Sequence, residues 1–234
     1  MTSDDRADLP AAAPAGPTWQ DRWQAGQIGF HKPEAHDLLL KHQPEFKGRA
    51  RVYVPLCGKS VDLVWLFEHG HDVVGCEFVP QAVAAFFAEQ RAALDAQPTS
   101  VIFGDVVLHD VPGLRIVQGD AFAADTASLG GSVDAVWDRA ALVAIDPDRR
   151  ADYVTALKRV LAKDGVIVLV TFSYDQAKLD GPPWSIDGAE VERLFGADFT
   201  IEAGERRAEA PGPRFQAAGI TDVEERSFVL RRRG

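Results

Sequence analysis

The stretch over residues 49–78 constrains the fold of this chain more than any other part of it. It predicts a strand at Arg51–Pro55, rich in β-branched and aromatic residues, and then a tight turn at Leu56–Ser60. Apolar residues at helical spacing predict a helix that ends at Gly70, and a second strand follows at Asp72–Phe78. A βαβ unit of this kind places ligand-binding groups just beyond the carboxyl ends of its strands.

The turn and one acid indicate the class of ligand. Glu77 lies at the carboxyl end of the second strand, where it can accept hydrogen bonds from both hydroxyls of a ribose. Residues 58–60 read Gly-Lys-Ser, as in a phosphate-binding P-loop, but that motif requires a glycine where Tyr53 stands. The dinucleotide fingerprint also fails, because Gly58 is the only glycine in the turn. A nucleoside cofactor without phosphate, such as S-adenosyl-L-methionine, fits the turn, although motifs this short do not decide the matter.

The length and net charge of the chain limit the number of domains and the kinds of partner that it can have. A chain of 234 residues suits one domain with a sizeable core. We expect a disordered tail at residues 1–17, rich in Ala, Pro and Asp, and a single domain at residues 18–234. The net charge of −10 argues against nucleic acid or an anionic membrane as the partner. A monomer is the default expectation.

The cysteine content and the hydropathy of the chain indicate its cellular compartment. Cys57 and Cys76 are too few for a disulfide framework in a chain of this length, so a reduced, cytoplasmic location is expected. No apolar run approaches the length of a membrane span, and the first residues lack the apolar core of a signal peptide. His31 and His36 stand five apart without a cysteine or an acidic cluster nearby, so we expect no metal site there.

The segment at residues 18–46 precedes the first core strand and is rich in aromatic residues. Thr18 is placed to cap a short helix that carries Trp19 and Trp23 on one face. A second helix is predicted at Glu34–His42, with its three consecutive leucines packing inward. Together with Phe30, the two tryptophans would form a lid over the cofactor end of the sheet. A pair of helices that simply pack on the core explains the same pattern.

Strands and helices alternate through the rest of the chain, which predicts an α/β fold with a mostly parallel sheet and helices on both faces. The predicted elements are a helix at Pro80–Arg91, β-rich segments at Thr99–Val107 and Leu114–Val117, a strand at Val133–Trp137, a helix from Asp146 to about Ala162, a strand at Val166–Phe172, a helix at Gly188–Phe195, and final strands at Phe199–Glu205 and Glu225–Arg231. The first β-rich segment is interpreted as an extra strand or hairpin, and the final pair suggests an antiparallel edge strand.

Two further positions follow strand ends. Asp120, beside Gly119, either faces the adenine ring of a nucleoside or is an ordinary turn residue. Arg139 lies where such sheets carry out their chemistry, but it also stands next to Asp138, with which it would form a structural ion pair.

Several longer motifs together resemble the thiopurine S-methyltransferase family. The motifs are Trp19–Trp23, Gly29–His31, Val54–Ser60, Gly70–Glu77, Trp137–Ile145, Ser173–Asp175, Gly181–Trp184 and Glu190–Gly196. They run in order from Trp19 towards the end of the chain. The resemblance implies the Rossmann-like fold of S-adenosyl-L-methionine-dependent methyltransferases, with a mostly parallel seven-stranded sheet and an antiparallel edge strand.

The resemblance also implies roles for individual residues. The implied cofactor-binding residues are Trp19 and Phe30 in the lid, Leu56 and Gly58 in the turn, Glu77 at the ribose, Asp120 and Ala121 at the adenine, and Arg139. Arg139 and Arg214 are the implied catalytic residues on the acceptor side, and the segment around Arg214 departs more from the family pattern. No metal ligand is implied.

The implied reaction is a displacement at the methyl carbon of a sulfonium by the sulfur of an aromatic or heterocyclic thiol. The leaving group is neutral, so no strong general acid is needed, and an acidic thiol needs at most a weak base or water. Selenium or tellurium oxyanions are alternative acceptors for the same site. A nicotinamide-dependent oxidoreductase and a non-catalytic nucleoside-binding module are the alternatives from other classes.

Overall fold

The computed structural model describes residues 18–233, and the tail predicted at residues 1–17 lies outside them. One sheet organises this part of the chain. Its strands are β1 Arg51–Val54, β2 Asp72–Glu77, β3 Thr99–Phe103, β4 Val106–Val111, β5 Leu114–Gln118, β6 Val133–Arg139, β7 Leu161–Ser173, β8 Phe199–Glu209 and β9 Val223–Arg232. The spatial order of these nine strands is β3-β4-β5-β2-β1-β6-β7-β9-β8.

The sheet is mostly parallel, as the sequence predicted. Strands β5, β2, β1, β6 and β7 pair in parallel at the centre, and antiparallel pairs flank them on both sides. The strand count differs from the prediction of seven, because the segment predicted at Thr99–Val107 folds back on itself at Gly104. The β3–β4 hairpin that results extends the sheet beyond β5. The order reverses between β1 and β6, which in open α/β sheets is where ligands bind.

Ten α-helices connect the strands in the described part of the chain. They are α1 Trp19–Gln24, α2 Asp37–Lys41, α3 Gln43–Phe46, α4 Asp62–Glu68, α5 Pro80–Glu89, α6 Arg91–Leu94, α7 Thr126–Leu129, α8 Arg150–Val160, α9 Gly188–Phe195 and α10 Pro213–Ala217. Short 3₁₀ turns cover Leu142–Ala144, Pro147–Arg149 and Gln176–Lys178. Within residues 18–233 no helix has both the length and the apolar character that crossing a bilayer requires.

The core has two layers because successive strand residues face opposite sides of the sheet. Tyr53 and Val136 pack on one side in a cluster that includes residues of α8 and α9. Val54 and Trp137 pack on the other side in a cluster that includes residues of α2, α4 and α5. Helices therefore cover both faces, and the carboxyl ends of β1, β2 and β6 open at one edge between them.

The second predicted helix is shorter than expected. It begins at Asp37 rather than Glu34, because the imidazole Nδ1 of His36 accepts the backbone N–H of Leu38 and caps the helix there. Leu38 and Leu39 are fully buried, but Leu40 is 46% exposed, so its predicted inward packing is wrong. Three consecutive residues cannot share one helix face, since each turns about 100° from the last.

A candidate cofactor and acceptor cleft

A cleft opens at the carboxyl ends of β1 and β6, beneath the segment that precedes the sheet. Its lining residues are Phe30, His31, Val54, Leu56, Cys57, Lys59, Ser60, Asp62, Trp137, Arg139 and Ala140. Leu56 and Ala140, which follow β1 and β6, have φ values of 45° and 65°. Backbone in this left-handed region is costly for residues other than glycine and tends to occur at functional sites. The two strand ends are thus held in unusual conformations on either side of the cleft.

Glu77 ties the first turn to the end of β2. Its Oε2 accepts the backbone N–H of Gly58 at 2.8 Å, and its Oε1 accepts that of Val79 at 2.6 Å. Burial raises the pKa of the Glu77 carboxyl, and the hydrogen bonds from Val79 and Gly58 oppose that rise. A carboxylate has about four lone-pair positions. Two remain for further donors, as the two hydroxyls of a ribose would require.

Gly58 marks where the segment expected to form a lid contacts the turn. Its φ is +54°, and a Cβ at this position would lie 3.3 Å from the Cζ2 atom of Trp23 and 3.6 Å from the Cε2 atom of Phe30. The rings of Trp19 and Trp23 each pack edge-on against Phe30, with centroids 6.0 and 6.1 Å away. The predicted aromatic cover therefore lies directly over the turn.

Local capping explains how helix α1 forms. The Oγ1 atom of Thr18 accepts the backbone N–H of Asp21 at 3.2 Å, and the Asp21 carboxylate accepts the Thr18 N–H at 2.8 Å. This reciprocal capping box satisfies two of the free donors at the helix start. The helix then packs Trp23 against Val79 and Ala82 at the start of α5. The cleft beneath this segment measures about 20 Å³, enough for about one water molecule.

Arg139 ends β6 inside the cleft. Its Nε is buried without a hydrogen-bond partner, and among residues 18–233 its guanidinium forms no ion pair within 4.0 Å. Burial lowers the pKa of Arg139, while the charges of Asp62 and Glu225 partly oppose this. A half-buried cation without a partner is what an anionic ligand requires.

The predicted pairing of Arg139 with Asp138 is wrong. Adjacent strand residues point to opposite faces, so the two side chains diverge. The fully buried carboxylate of Asp138 instead accepts the N–H of Leu142 at 3.0 Å and the hydroxyl of Tyr153 at 2.8 Å. Burial raises its pKa to about 6. Asp138 thus anchors the loop after β6 from the far side of the sheet.

Asp120 and Ala121 follow β5, next to the end of β2, where Gln118 pairs with Glu77. Asp120 is exposed, and its Oδ1 accepts the backbone N–H of Phe122 at 2.9 Å. Ala121 is half-buried against the core. Their position beside Glu77 agrees with an adenine-facing role, but they do not line the cleft that contains Arg139.

Arg214 lies outside that cleft. It is exposed on α10, and its guanidinium donates to the backbone carbonyls of Pro182 and, at 2.5 Å, Asp180. Its charge also lowers the pKa of Arg22 on the lid helix, after the larger effect of burial. The structure therefore places Arg214 at the rim, near the lid, and does not bring it together with Arg139.

The sequence reasoning missed Asp62 as a central residue of this region. Its Oδ1 accepts the backbone N–H of His36 at 2.8 Å, and its Oδ2 accepts the indole N–H of Trp137 at 2.8 Å. One buried carboxylate thus links the lid segment, α4 and β6. The position of Asp62 in the first turn of the helix that follows β1 could have indicated a functional or structural role. Nothing in the sequence relates it to its partners His36 and Trp137, which are 26 and 75 residues away.

A larger groove lies near the start of β1, away from the strand carboxyl ends, with a volume of about 420 Å³. Both of its arginines are already engaged. Arg231 bonds Glu45 at 2.7 Å, and Arg49 donates to the carbonyls of Asp134 and Asp164 at 3.2 and 2.9 Å. We therefore place the functional site in the smaller cleft, which has free polar groups.

Solved structures with a similar fold are methyltransferases or proteins of the same architecture. One is the 1,6-didemethyltoxoflavin-N1-methyltransferase of Burkholderia thailandensis, which was solved with S-adenosylhomocysteine bound. It is 18% identical, has a TM-score of 0.56, and the match covers 91% of this chain and 84% of that one. The YcgJ protein of Bacillus subtilis is 12% identical with a TM-score of 0.63, over 85% and 99% of the two chains. These likenesses establish the fold.

Sequence relatives establish the family. The thiopurine S-methyltransferase of Xanthobacter autotrophicus is 44% identical over 208 residues, which cover 88% of this chain and 95% of the relative. That of Xanthomonas campestris pv. campestris (strain 8004) is 42% identical over 218 residues, covering 92% and 97%. The family model described as Thiopurine S-methyltransferase (TPMT) matches residues 15–233. The chain therefore belongs to the thiopurine S-methyltransferase family, and it is an S-adenosyl-L-methionine-dependent methyltransferase.

Proposed function

We propose that this enzyme methylates the sulfur of aromatic and heterocyclic thiols of the thiopurine type, with S-adenosyl-L-methionine as the methyl donor. The relatives named above carry the name of that activity. The observation that carries the proposal in this chain is Arg139, a half-buried guanidinium without a partner at the edge of the sheet where ligands bind. A thiolate or an anionic heterocycle would complete its hydrogen bonding.

The residues around the first turn fit the cofactor. Glu77 has two free lone-pair positions for the ribose hydroxyls. The turn at Leu56 and Gly58 places backbone atoms, without a bulky side chain at Gly58, next to this carboxylate. Asp120 and Ala121, beside the end of β2, would border the adenine. The small cavity indicates that the lid has to move away from Gly58 to admit the cofactor and then close over it.

When bound, S-adenosyl-L-methionine would supply an electrophilic methyl group, carried on its sulfonium sulfur, for transfer to the acceptor sulfur. Trp19 and Phe30 would close over the reacting atoms and exclude water, and an aromatic face stabilises a nearby positive charge. Arg139 would hold the acceptor in line for transfer, or bind the carboxylate end of the cofactor beside it. Arg214, at the rim, would act on acceptors that extend towards the lid.

Methyl transfer from labelled cofactor to a panel of thiols, with selenite and tellurite included, tests the proposal. We expect Arg139→Met to lower kcat/KM for heterocyclic thiols by about 10²- to 10³-fold, the usual effect of removing one well-placed donor to a developing or bound anion. Arg206→Met is the matched control, because Arg206 is an exposed arginine that pairs with Glu224 on the strand surface.

Two results would contradict the proposal. Methyl transfer to selenite or tellurite but to no thiol would show that the acceptors are oxyanions rather than thiols. A fall in melting temperature for Arg139→Met that matches its loss of activity would make Arg139 a structural residue.

We also propose the setting in which the enzyme works. Residues 18–234 would form one methyltransferase domain, with residues 18–46 as its lid, and the protein would act as a cytoplasmic monomer on a small molecule rather than on nucleic acid. The single continuous sheet and the net charge of −10 support these points.

A further inference from the structure

The ionisable groups of the cleft differ in how far they are already engaged. Both carboxylate oxygens of Asp62 accept hydrogen bonds from within the protein. Lys59 forms an ion pair with Glu89 at 2.6 Å. Burial raises the pKa of the Cys57 thiol well above its ordinary value, so it stays protonated. None of these three side chains offers a free basic atom to a ligand.

His31 is different. It lines the cleft directly after Phe30 of the lid, and its Nδ1 is buried with no hydrogen-bond partner in the described part of the chain. Leaving a buried polar atom unpaired costs about 1–3 kcal/mol, which a donor from a bound ligand would recover.

Burial, together with two neighbouring cations, favours the neutral form of His31. Burial is the main cause that lowers its pKa, and the positive charges of Lys59 and Arg139 lower it further, while Glu89 and Asp62 act in the opposite direction. At neutral pH the imidazole is therefore uncharged, and Nδ1 can present a lone pair if the other ring nitrogen carries the hydrogen.

We propose that Nδ1 of His31 accepts the proton of the acceptor thiol, a role that rests on the proposed function above. The S–H bond breaks, its electron pair stays on sulfur as the thiolate beside Arg139, and the proton forms an N–H bond at Nδ1. While the thiolate lies beside it, its negative charge keeps the proton on the imidazolium. Methyl transfer removes that charge, and the half-exposed residue then returns the proton to solvent. His31 thereby extends the acceptor range from thiols that are ionised in water to weaker acids.

The proposed role of His31 can be tested without methyl transfer, by measuring whether the protein keeps the thiol proton when the thiol binds as a thiolate. An aromatic thiol whose pKa lies about one unit above the assay pH is titrated into the complex with S-adenosylhomocysteine. Thiolate absorbance reports ionisation, and calorimetry in two buffers of different ionisation enthalpy counts the protons released. The variant is His31→Gln, and the control is His69→Gln, an exposed histidine stacked on Trp65 outside the cleft.

We expect the wild type and His69→Gln to bind thiolate with almost no proton released to the buffer. The His31→Gln variant should either bind the neutral thiol or release one proton for each thiolate bound. Its kcat/KM should fall about 10²-fold for the weakly acidic thiol and less than about twofold for a thiol already ionised at the assay pH. A purely structural role for His31 would affect both thiols equally.

The proposal is overturned if the wild type releases one proton per thiolate, or if His31→Gln behaves as the wild type does. Should the wild type bind thiolate and keep its proton but transfer no methyl group, the role of His31 stands and the proposed function fails. Absence of thiol binding in every variant refutes both.

Discussion

Asp138 lends itself to a quantitative test, because its carboxyl group titrates differently in the folded and unfolded chain. Burial raises its pKa in the folded protein from 3.8 to about 6. The folded chain therefore binds more protons than the unfolded chain between these two values, and stability must fall as the pH rises through this interval. The difference of about two pKa units corresponds to about 3 kcal/mol.

The perturbation is Asp138→Asn, which keeps an oxygen for the N–H of Leu142 and removes the titrating proton. We expect the free energy of unfolding of the variant, measured relative to wild type, to rise by about 2 kcal/mol from pH 4 to pH 7, because part of the full effect already lies below pH 4. Any cost of the substitution that does not depend on pH leaves this slope unchanged. Asp148→Asn, at an exposed carboxylate, serves as the control.

Urea denaturation across this pH range measures the effect, at low protein concentration because the isoelectric point is about 5.0. Comparing each variant with wild type at the same pH cancels the other titrating carboxylates, such as Asp37, whose pKa of about 2 reflects its bonding to Arg207. If the curves for wild type and Asp138→Asn run parallel from pH 4 to 7, the burial argument is wrong.

Two further predictions concern the cofactor side of the cleft. Gly58→Ala should lower the free energy of unfolding by about 1–2 kcal/mol, because its backbone is left-handed. It should also weaken S-adenosylhomocysteine binding, because the new Cβ would lie 3.3 Å from the ring of Trp23. Gly48→Ala, with φ +76° and open space around it, should show the backbone strain alone, and calorimetry that finds equal affinity for Gly58→Ala and wild type would contradict the contact with Trp23. Glu77→Gln should raise the dissociation constant of S-adenosylhomocysteine by about 10- to 100-fold through the loss of charge-assisted hydrogen bonds; a lower melting temperature with unchanged affinity would limit Glu77 to holding the turn.

Local features of this fold could be predicted from the sequence because their partners lie close along the chain. Thr18 caps α1 through Asp21, and Asp187 caps α9 by accepting the N–H of Glu190. The βαβ unit is equally local, and it places Glu77 at the end of β2 as expected.

Features that depend on distant partners were missed. His36 lies 3.3 Å from the buried carboxylate of Glu225, almost the whole length of the chain away, and no spacing rule relates the two. The run Val101–Phe103 has the composition of a buried strand, yet it is exposed because β3 is the edge of the sheet. Only the two-residue turn at Gly104, with φ +58°, gave a local signal for the hairpin.

Cys57 has a chemical consequence for an enzyme of this kind. Cys57 is one of the residues that line the cleft in which an electrophilic methyl group and an acceptor thiol would meet. Because burial keeps the thiol protonated, it is a poor nucleophile and a poor partner for mixed disulfides. We therefore expect Cys57 to escape alkylation by the donor, so that the methyl group is transferred to the external acceptor.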